Sequence, residues 1–388
     1  MESNPEVDAI CKSCEKFAAD LYKNTIKEGN IIISPLASYL LLSMTVNGAD
    51  DDTESQIRKA LRLPKDEPRS LQGFRSLIDS LNSVADVELS VLSKIVISKT
   101  FNINPEFQSI LENYFRNKPE LLDFSNKSEA VETINTWCEE NTKNNISQII
   151  SHNDINKLST MLLLNAVYFN GEWQFKFSPK NTYLNDFYVN ENDKTRISMM
   201  TQRRDLVYGE LDFIDAKFAE LPYRSSTGNL KMVVIVPNKI DGLAEIENNL
   251  ERVNYESLSE FAKEDVEIKL PVIDFESTID FKSCLKQMGI VDMFEEQRAQ
   301  FGKLQSGESW PIWVDKIVQK TFINVNEEGT EAAAITFGGM HAAMIAFIKK
   351  CRYRRPPPPP KKLLYADRPF LSIIVYEKVP LFYCRFTG

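Results

Sequence analysis

The chain has 388 residues, 43% of them hydrophobic, and a formal net charge of −9. That length can bury a large core in one or two domains, while an acidic surface repels nucleic acid and anionic lipid, so neither a nucleic-acid nor a membrane partner is expected. No apolar run reaches the roughly 18 residues of a membrane-spanning helix.

Residues Met1 to Asp8 are polar and acidic, unlike a secretory leader. A cytoplasmic protein is therefore expected, or a secreted one if a leader has been removed. Apolar residues three and four apart predict helices over 9–25, 34–47, 53–61 and 71–84. Residues 87–102 alternate as a strand does, 131–150 return to helical spacing, and the apolar run 160–169 suits a central strand buried on both faces. From Leu221 onward strands dominate, at 230–237, 266–272, 312–325, 369–377 and 381–386, with helices at 240–248, 255–263 and 279–289. This is an α+β pattern with several sheets and no internal repeat, and it lacks the regular βα alternation of a Rossmann or barrel enzyme.

The six cysteines, Cys11, Cys14, Cys138, Cys284, Cys351 and Cys384, are scattered and read as reduced thiols. Cys11 and Cys14 form a C-x-x-C without a second such pair or paired histidines, so no metal and no cofactor is expected. The sequons at Asn126 and Asn145 matter only on a secretory route. Two histidines, His152 and His341, and no nucleophile elbow, phosphate loop or zinc motif leave no catalytic constellation, so the protein is not expected to be an enzyme.

One segment departs from the rest. Seven basic residues, Lys349, Lys350, Arg352, Arg354, Arg355, Lys361 and Lys362, surround Pro356 to Pro360. Consecutive prolines cannot join a sheet ladder and favour the extended polyproline helix, so an exposed loop is predicted here.

Just before it, residues 314–336 read VDKIVQKTFINVNEEGTEAAAIT, which resembles the serpin signature: a strand followed by an acidic, glycine- and alanine-rich hinge. NIIISPL at 30–36 is similar to the family's shutter segment, NAVYFNGEW at 165–173 to its breach segment, and ADRPFL at 366–371 to the strand after the reactive loop. Leu221-Pro222-Tyr223, Met288-Gly289-Ile290 and Leu381-Phe382 fit as well, so the likeness covers nearly the whole chain. It implies one domain over 1–388, an α+β fold of three sheets and about nine helices, and an exposed reactive loop at 327–367. It also implies a metastable protease trap. A target serine endopeptidase, or a cysteine one, cleaves the loop, which then inserts into the largest sheet and distorts the attached acyl-enzyme. A monomer is expected.

The hinge residues Glu327, Glu328, Gly329, Thr330, Glu331, Ala332, Ala333, Ala334 and Thr336 suit such insertion physically. In a strand, Thr330, Ala332, Ala334, Thr336 and Gly338 share one face. All are small, so that face can be buried without overpacking. Ile335 and Phe337 fall on the other face. The resemblance assigns Asn30, Ser34, Pro35, Asn165, Trp173 and Gln319 to the shutter and breach. Gln319 stands where the family usually carries histidine, and Ala37 where a serine is usual; Gln319 can donate and accept without titrating near neutrality.

Family spacing from Gly329 puts the scissile residue at Ala343, followed by Met344, yet this loop is roughly fifteen residues longer than the ordinary one. Cleavage between Met340 and Phe347 suits proteases with small or apolar primary pockets. Cleavage at Lys349, Lys350, Arg352 or Arg354 suits trypsin-like or dibasic-cutting enzymes, while Pro356 disfavours Arg355. At about 3.3 Å per residue, a basic site adds roughly 20 Å of tether, and slack weakens distortion. The expectation is inhibition through 340–347 and substrate behaviour at the basic sites. The 349–362 extension fits a spacer, a ligand for a proline-recognition domain, or a site for a polyanion or acidic exosite. A non-inhibitory binding or chaperone protein using this loop as a recognition arm is the alternative function.

Overall fold

Ser34 and Pro35 show how the chain starts its elements. The serine hydroxyl accepts a hydrogen bond from Ala37 N at 3.3 Å and the proline occupies the first turn, so a helix must begin there. The computed structural model describes residues 4–25, 29–84, 87–226, 230–307, 310–330 and 362–388. Nine α-helices lie among them: α1 Pro5–Thr25, α2 Pro35–Thr45, α3 Asp51–Leu61, α4 Glu67–Asn82, α5 Pro105–Phe115, α6 Lys127–Asn141, α7 Leu243–Asn248, α8 Tyr255–Leu258 and α9 Lys282–Gln287. The described strands are β1 Ile31–Ile33, β2 Val87–Ser98, β3 Glu120–Leu122, β4 Met161–Glu172, β5 Thr182–Tyr188, β6 Lys194–Leu211, β7 Ala216–Pro222 and β8 Leu230–Pro237. They continue as β9 Lys263–Pro271, β10 Ile273–Asp280, β11 Val314–Val325, β12 Gly329–Thr330, β13 Lys362–Tyr365, β14 Phe370–Tyr376 and β15 Val379–Phe386.

One sheet has the order β10-β11-β12-β4-β2-β3. The other strands form a network, β1-β15-β14-β8-β7-β6-β9-β13, with β5 also on β6. Strand β6 pairs β9 through Met199–Val207 and β7 through Tyr208–Leu211, so it turns from one sheet into another. The turn in β6 divides the nine-stranded network in two, so the described residues form three sheets and nine α-helices, the expected α+β architecture.

The central sheet is covered on both faces, as the apolar run at 160–169 requires. Met161, Leu163, Val167 and Phe169 of β4 join the main core, while Leu162, Leu164 and Ala166 pack in a second cluster with Ile134 and Cys138 of α6. Helix α2 is buried along its whole length against β2, β4 and β15.

Some boundaries differ from the sequence expectation. Helix α6 stops at Asn141, not at residue 150, because Lys143 (φ 53°) and Asn144 (φ 65°) adopt the left-handed conformation. Helix α8 ends at Leu258 because Lys263 already pairs with Val207 in β9. Helix α9 starts at Lys282, since Ile279 and Asp280 are held in β10 opposite Gln319 and Val318. Helix α5, capped by Asn104 accepting from Glu106 N at 2.9 Å, and strands β3, β5 and β6 had no counterpart in the expectation.

Candidate functional site: the hinge and the seam of the central sheet

Strands β4 and β11 run parallel and pair directly from Met161/Val314 to Tyr168/Phe322. Beyond that point they part, and β12 lies between them. Gly329 pairs with Glu172 and Thr330 with Gly171 on one side, and Thr330 pairs with Val325 on the other. Both pairings are antiparallel, so β12 runs opposite to β4 and β11, from the upper end of the seam toward its middle.

The residue types explain why β12 sits there. A Cβ on Gly329 would lie 2.1 Å from Gly171 O and 2.7 Å from Glu172 Cα, so only glycine lets the two backbones approach this closely. Thr330 is fully buried, and its hydroxyl shares a 2.7 Å hydrogen bond with Tyr223 Oη. Burial holds the Tyr223 phenol well above its usual pKa, against the opposing effect of the Thr330 hydrogen bond, so it stays neutral. The Tyr223 ring stacks on Trp173, with centroids 4.6 Å apart and 15° between planes.

Trp173 also fixes the turn before β12. Its indole Nε1 donates to Asn326 O at 2.8 Å and its backbone N donates to Glu328 O at 2.9 Å. Asn326 Oδ1 accepts from Glu328 N at 2.9 Å, and Asn326 N donates to Gly329 O at 2.8 Å. Thr182 Oγ1 donates to Glu327 Oε1 at 2.6 Å. Lys176 pairs with Glu328 at 2.6 Å and with Glu172 at 3.3 Å, and the Glu328 contact first of all raises the lysine pKa.

Lower in the seam, Gln319 of β11 faces Asn165 of β4. Gln319 Oε1 accepts from Ser34 N at 2.6 Å, and Nε2 donates to Ser34 O at 2.9 Å and Ser38 Oγ at 3.1 Å. Both amide ends are thereby used. Asn165 Nδ2 donates to Ser93 Oγ at 2.8 Å, but its buried Oδ1 has no hydrogen-bond partner. At the foot of the seam, Asp315 Oδ2 accepts from Thr160 N at 2.7 Å and Met161 N at 3.3 Å; burial nonetheless raises its pKa.

The structure therefore brings together Ser34, Pro35, Asn165 and Gln319 at mid-seam, and Trp173 with 327–330 at its upper end. Asn30 is elsewhere: its Oδ1 accepts from Thr387 N at 2.7 Å, tying β1 to the end of β15. Ser38 was missed by sequence reasoning, which looked for a hydroxyl at Ala37. The signal was Ser38 itself, one turn beyond the cap residue Ser34 and on the same helical face.

The span 327–367 is not one exposed loop. Gly329–Thr330 is held in the sheet as β12, and Lys362–Tyr365 forms β13, parallel to β9, with Leu364 buried. Lys362 consequently belongs to a strand and not to the basic extension; its ammonium lies 3.8 Å from Glu210. Glu331, Ala332, Ala333, Ala334, Thr336 and the scissile candidates Ala343, Met344, Phe347, Lys349, Lys350, Arg352 and Arg354 lie outside the described residues, as does His341. His152 is an exposed turn residue. Among the described residues no acidic, histidine or cysteine cluster suits a metal.

The family model described as Serpin (serine protease inhibitor) matches residues 12–387. The chain is 29% identical over 378 residues to Alaserpin of Manduca sexta, covering 96% of this chain and 92% of that protein. It is 29% identical over 406 residues to human Serpin B3, covering 98% and 100%. Among solved structures it is similar to Serpin48, described as a highly specific serpin in the insect Tenebrio molitor. The TM-score is 0.86 and the identity 28%, with 100% of both chains covered. Three sheets with a chain segment entering the central seam, joined to these likenesses, define a protein of the protease-inhibitor class. The chain belongs to the serpin family.

Proposed function

We propose that residues 1–388 act as a single domain and a monomer that traps a serine endopeptidase, or a cysteine one, as a suicide substrate. The observation that carries this is the direction of β12, which already occupies the top of the β4–β11 seam and points along it. Cleavage between Met340 and Phe347 would free the residues between Thr330 and the cut to continue that strand. Insertion exchanges one parallel pairing for two antiparallel ones, which are slightly stronger per residue. It also parts Asn165 from Gln319, giving the orphaned Asn165 Oδ1 a new strand to bond. A buried unsatisfied acceptor costs about 1–3 kcal/mol, so its relief favours the inserted state.

No helix among the described residues is long and apolar enough to cross a membrane. The described cysteines are free and buried, which suits a reducing compartment, and we place the protein in the cytoplasm. The extension 349–361 is assigned to partner recognition by its cations and prolines, either by a polyanion or by a proline-recognition domain.

The test is incubation with a panel of serine and cysteine proteases, followed by a denaturing gel and mass spectrometry of the released C-terminal peptide. A covalent adduct cut between Met340 and Phe347 is expected, and Thr330→Arg should abolish it while the loop is still cleaved. An adduct that persists in Thr330→Arg, or one severed after Lys350 or Arg354, counts against the mechanism. No adduct with any protease would favour the non-inhibitory recognition role.

A further inference from the structure

Below the foot of the seam the chain places two of its four tryptophans close together, in Trp310-Pro311-Ile312-Trp313. Ile312 enters the core, whereas Trp310 is 61% exposed, although an indole is among the largest apolar surfaces a fold can bury. The two rings border a cleft of about 390 Å³ where β2 ends and β4 and β11 begin. Phe101 adds a third aromatic wall, and Thr100, Thr160 and Glu296 supply the polar side chains. This volume is in the range that takes a small organic ligand.

The aromatic walls are set by the backbone beneath them. Gln305 brackets Trp310, its Nε2 donating to Trp310 O at 2.8 Å and its Oε1 accepting from Trp310 N at 3.2 Å. Thr160 does the same for Trp313: its hydroxyl donates to Trp313 O at 2.5 Å and accepts from Trp313 N at 2.9 Å. The Trp313 indole is further oriented by a hydrogen bond to the Asp315 carboxylate. A site held in this way loses little freedom when a ligand arrives. Its charge is equally defined, because the lining holds the Glu296 carboxylate and no cation. The neighbouring charges are taken, Glu295 by Lys286 and Arg298 by Asp292, while Glu296 is exposed and forms no ion pair among the described residues.

We propose that this cleft binds the quaternary ammonium group of a small choline-like solute, its methyl groups against Trp310, Trp313 and Phe101 and its charge beside Glu296. Such a cation is attracted to the faces of aromatic rings, tryptophan most of all. It also carries no N–H. A lysine ammonium brings three donors and a guanidinium five, each needing an acceptor. The Thr160 hydroxyl is engaged with Trp313 and the Thr100 hydroxyl with Ser98 Oγ at 2.9 Å, so Glu296 is the one lining carboxylate or hydroxyl still open. An anion is disfavoured by Glu296 and by the net charge of −9.

Isothermal titration of the full chain with choline chloride at constant ionic strength tests the assignment. Saturable one-to-one binding is expected. Dimethylbutanol, the neutral carbon isostere of choline, should bind at least roughly tenfold more weakly, equal to 1.4 kcal/mol. Trp310→Ala should weaken choline by about the same factor, and Glu296→Gln should weaken it several-fold. Both side chains are exposed, so an unchanged melting temperature is expected of each variant. Phosphatidylcholine vesicles distinguish the sources of the group: cosedimentation that Trp310→Ala removes assigns a lipid head group, and choline binding without cosedimentation assigns a free solute. No saturable heat with choline, equal binding of the neutral isostere, or choline binding unchanged in both variants would each overturn the proposal.

Discussion

Gln319 makes three hydrogen bonds to Ser34 and Ser38 and accepts a fourth from Thr321 Oγ1 at 3.3 Å, all with an uncharged amide, so the mid-seam contact has no titratable group of its own on β11. Replacing it with alanine strands the buried Ser34 backbone groups. A loss of about 1–3 kcal/mol is expected, read as a lower urea midpoint with an unchanged slope. Gln319→His should instead introduce a pH dependence near 6.5, absent from the parent, in the difference between the two stabilities. The C-x-x-C pair at Cys11 and Cys14 has a structural explanation. Both thiols are buried in α1; burial, reinforced by Asp8, pushes Cys11 up to about 12, and burial, reinforced by Cys11 and Glu15, holds Cys14 well above its usual value. At pH 8 almost no thiolate forms, so N-ethylmaleimide should spare both in the native protein and label both after denaturation. Rapid labelling of either in the native state would contradict this account.

At the scale of elements, β12 depends on one missing side chain. Gly329→Ala would place a Cβ against backbone atoms of Gly171 and Glu172, which cannot step aside as a flexible side chain would. The expected result is release of β12 from the seam, with loss of the Thr330–Tyr223 bond. Glutamyl endopeptidase should then cut after Glu327 or Glu328 at least roughly tenfold faster, corresponding to about 1.4 kcal/mol of easier local opening. Unchanged cleavage would mean that β12 is held by the turn at Asn326 and not by the seam. Lys176 adds little here: its pairs with Glu172 and Glu328 are substantially exposed, and such bridges contribute about 0–1 kcal/mol.

For the whole molecule, the proposed insertion into the β4–β11 seam predicts a stability that depends on whether the chain is cut. Nicking the protein between Met340 and Phe347 should raise Tm by at least about 10 °C, several kcal/mol for a chain of this size. Thr330→Arg should remove that rise, because an arginine there cannot follow Thr330 into its buried place beside Tyr223. Scanning calorimetry of nicked and intact protein checks both; a nicked parent that melts with the intact one would exclude insertion.

The apolar run of β4, the Ser-Pro start of α2 and strand β11 were legible in the sequence, because each is set by local chemistry: periodicity, capping and β-branched side chains. Much of β6 was not, since an exposed, charged strand resembles a loop until β5, β7 and β9 supply its partners. Nor was Lys362–Tyr365, whose place depends on β9. Composition and motif alone pointed to a serpin with a long, basic, proline-rich insertion in its loop. Only the tertiary structure decided that Gly329 and Thr330 are already within the sheet, that Ser38 completes the Gln319 contact, and that Asn165 Oδ1 is left without a partner. These depend on distances between strands far apart in the chain, which no local pattern encodes.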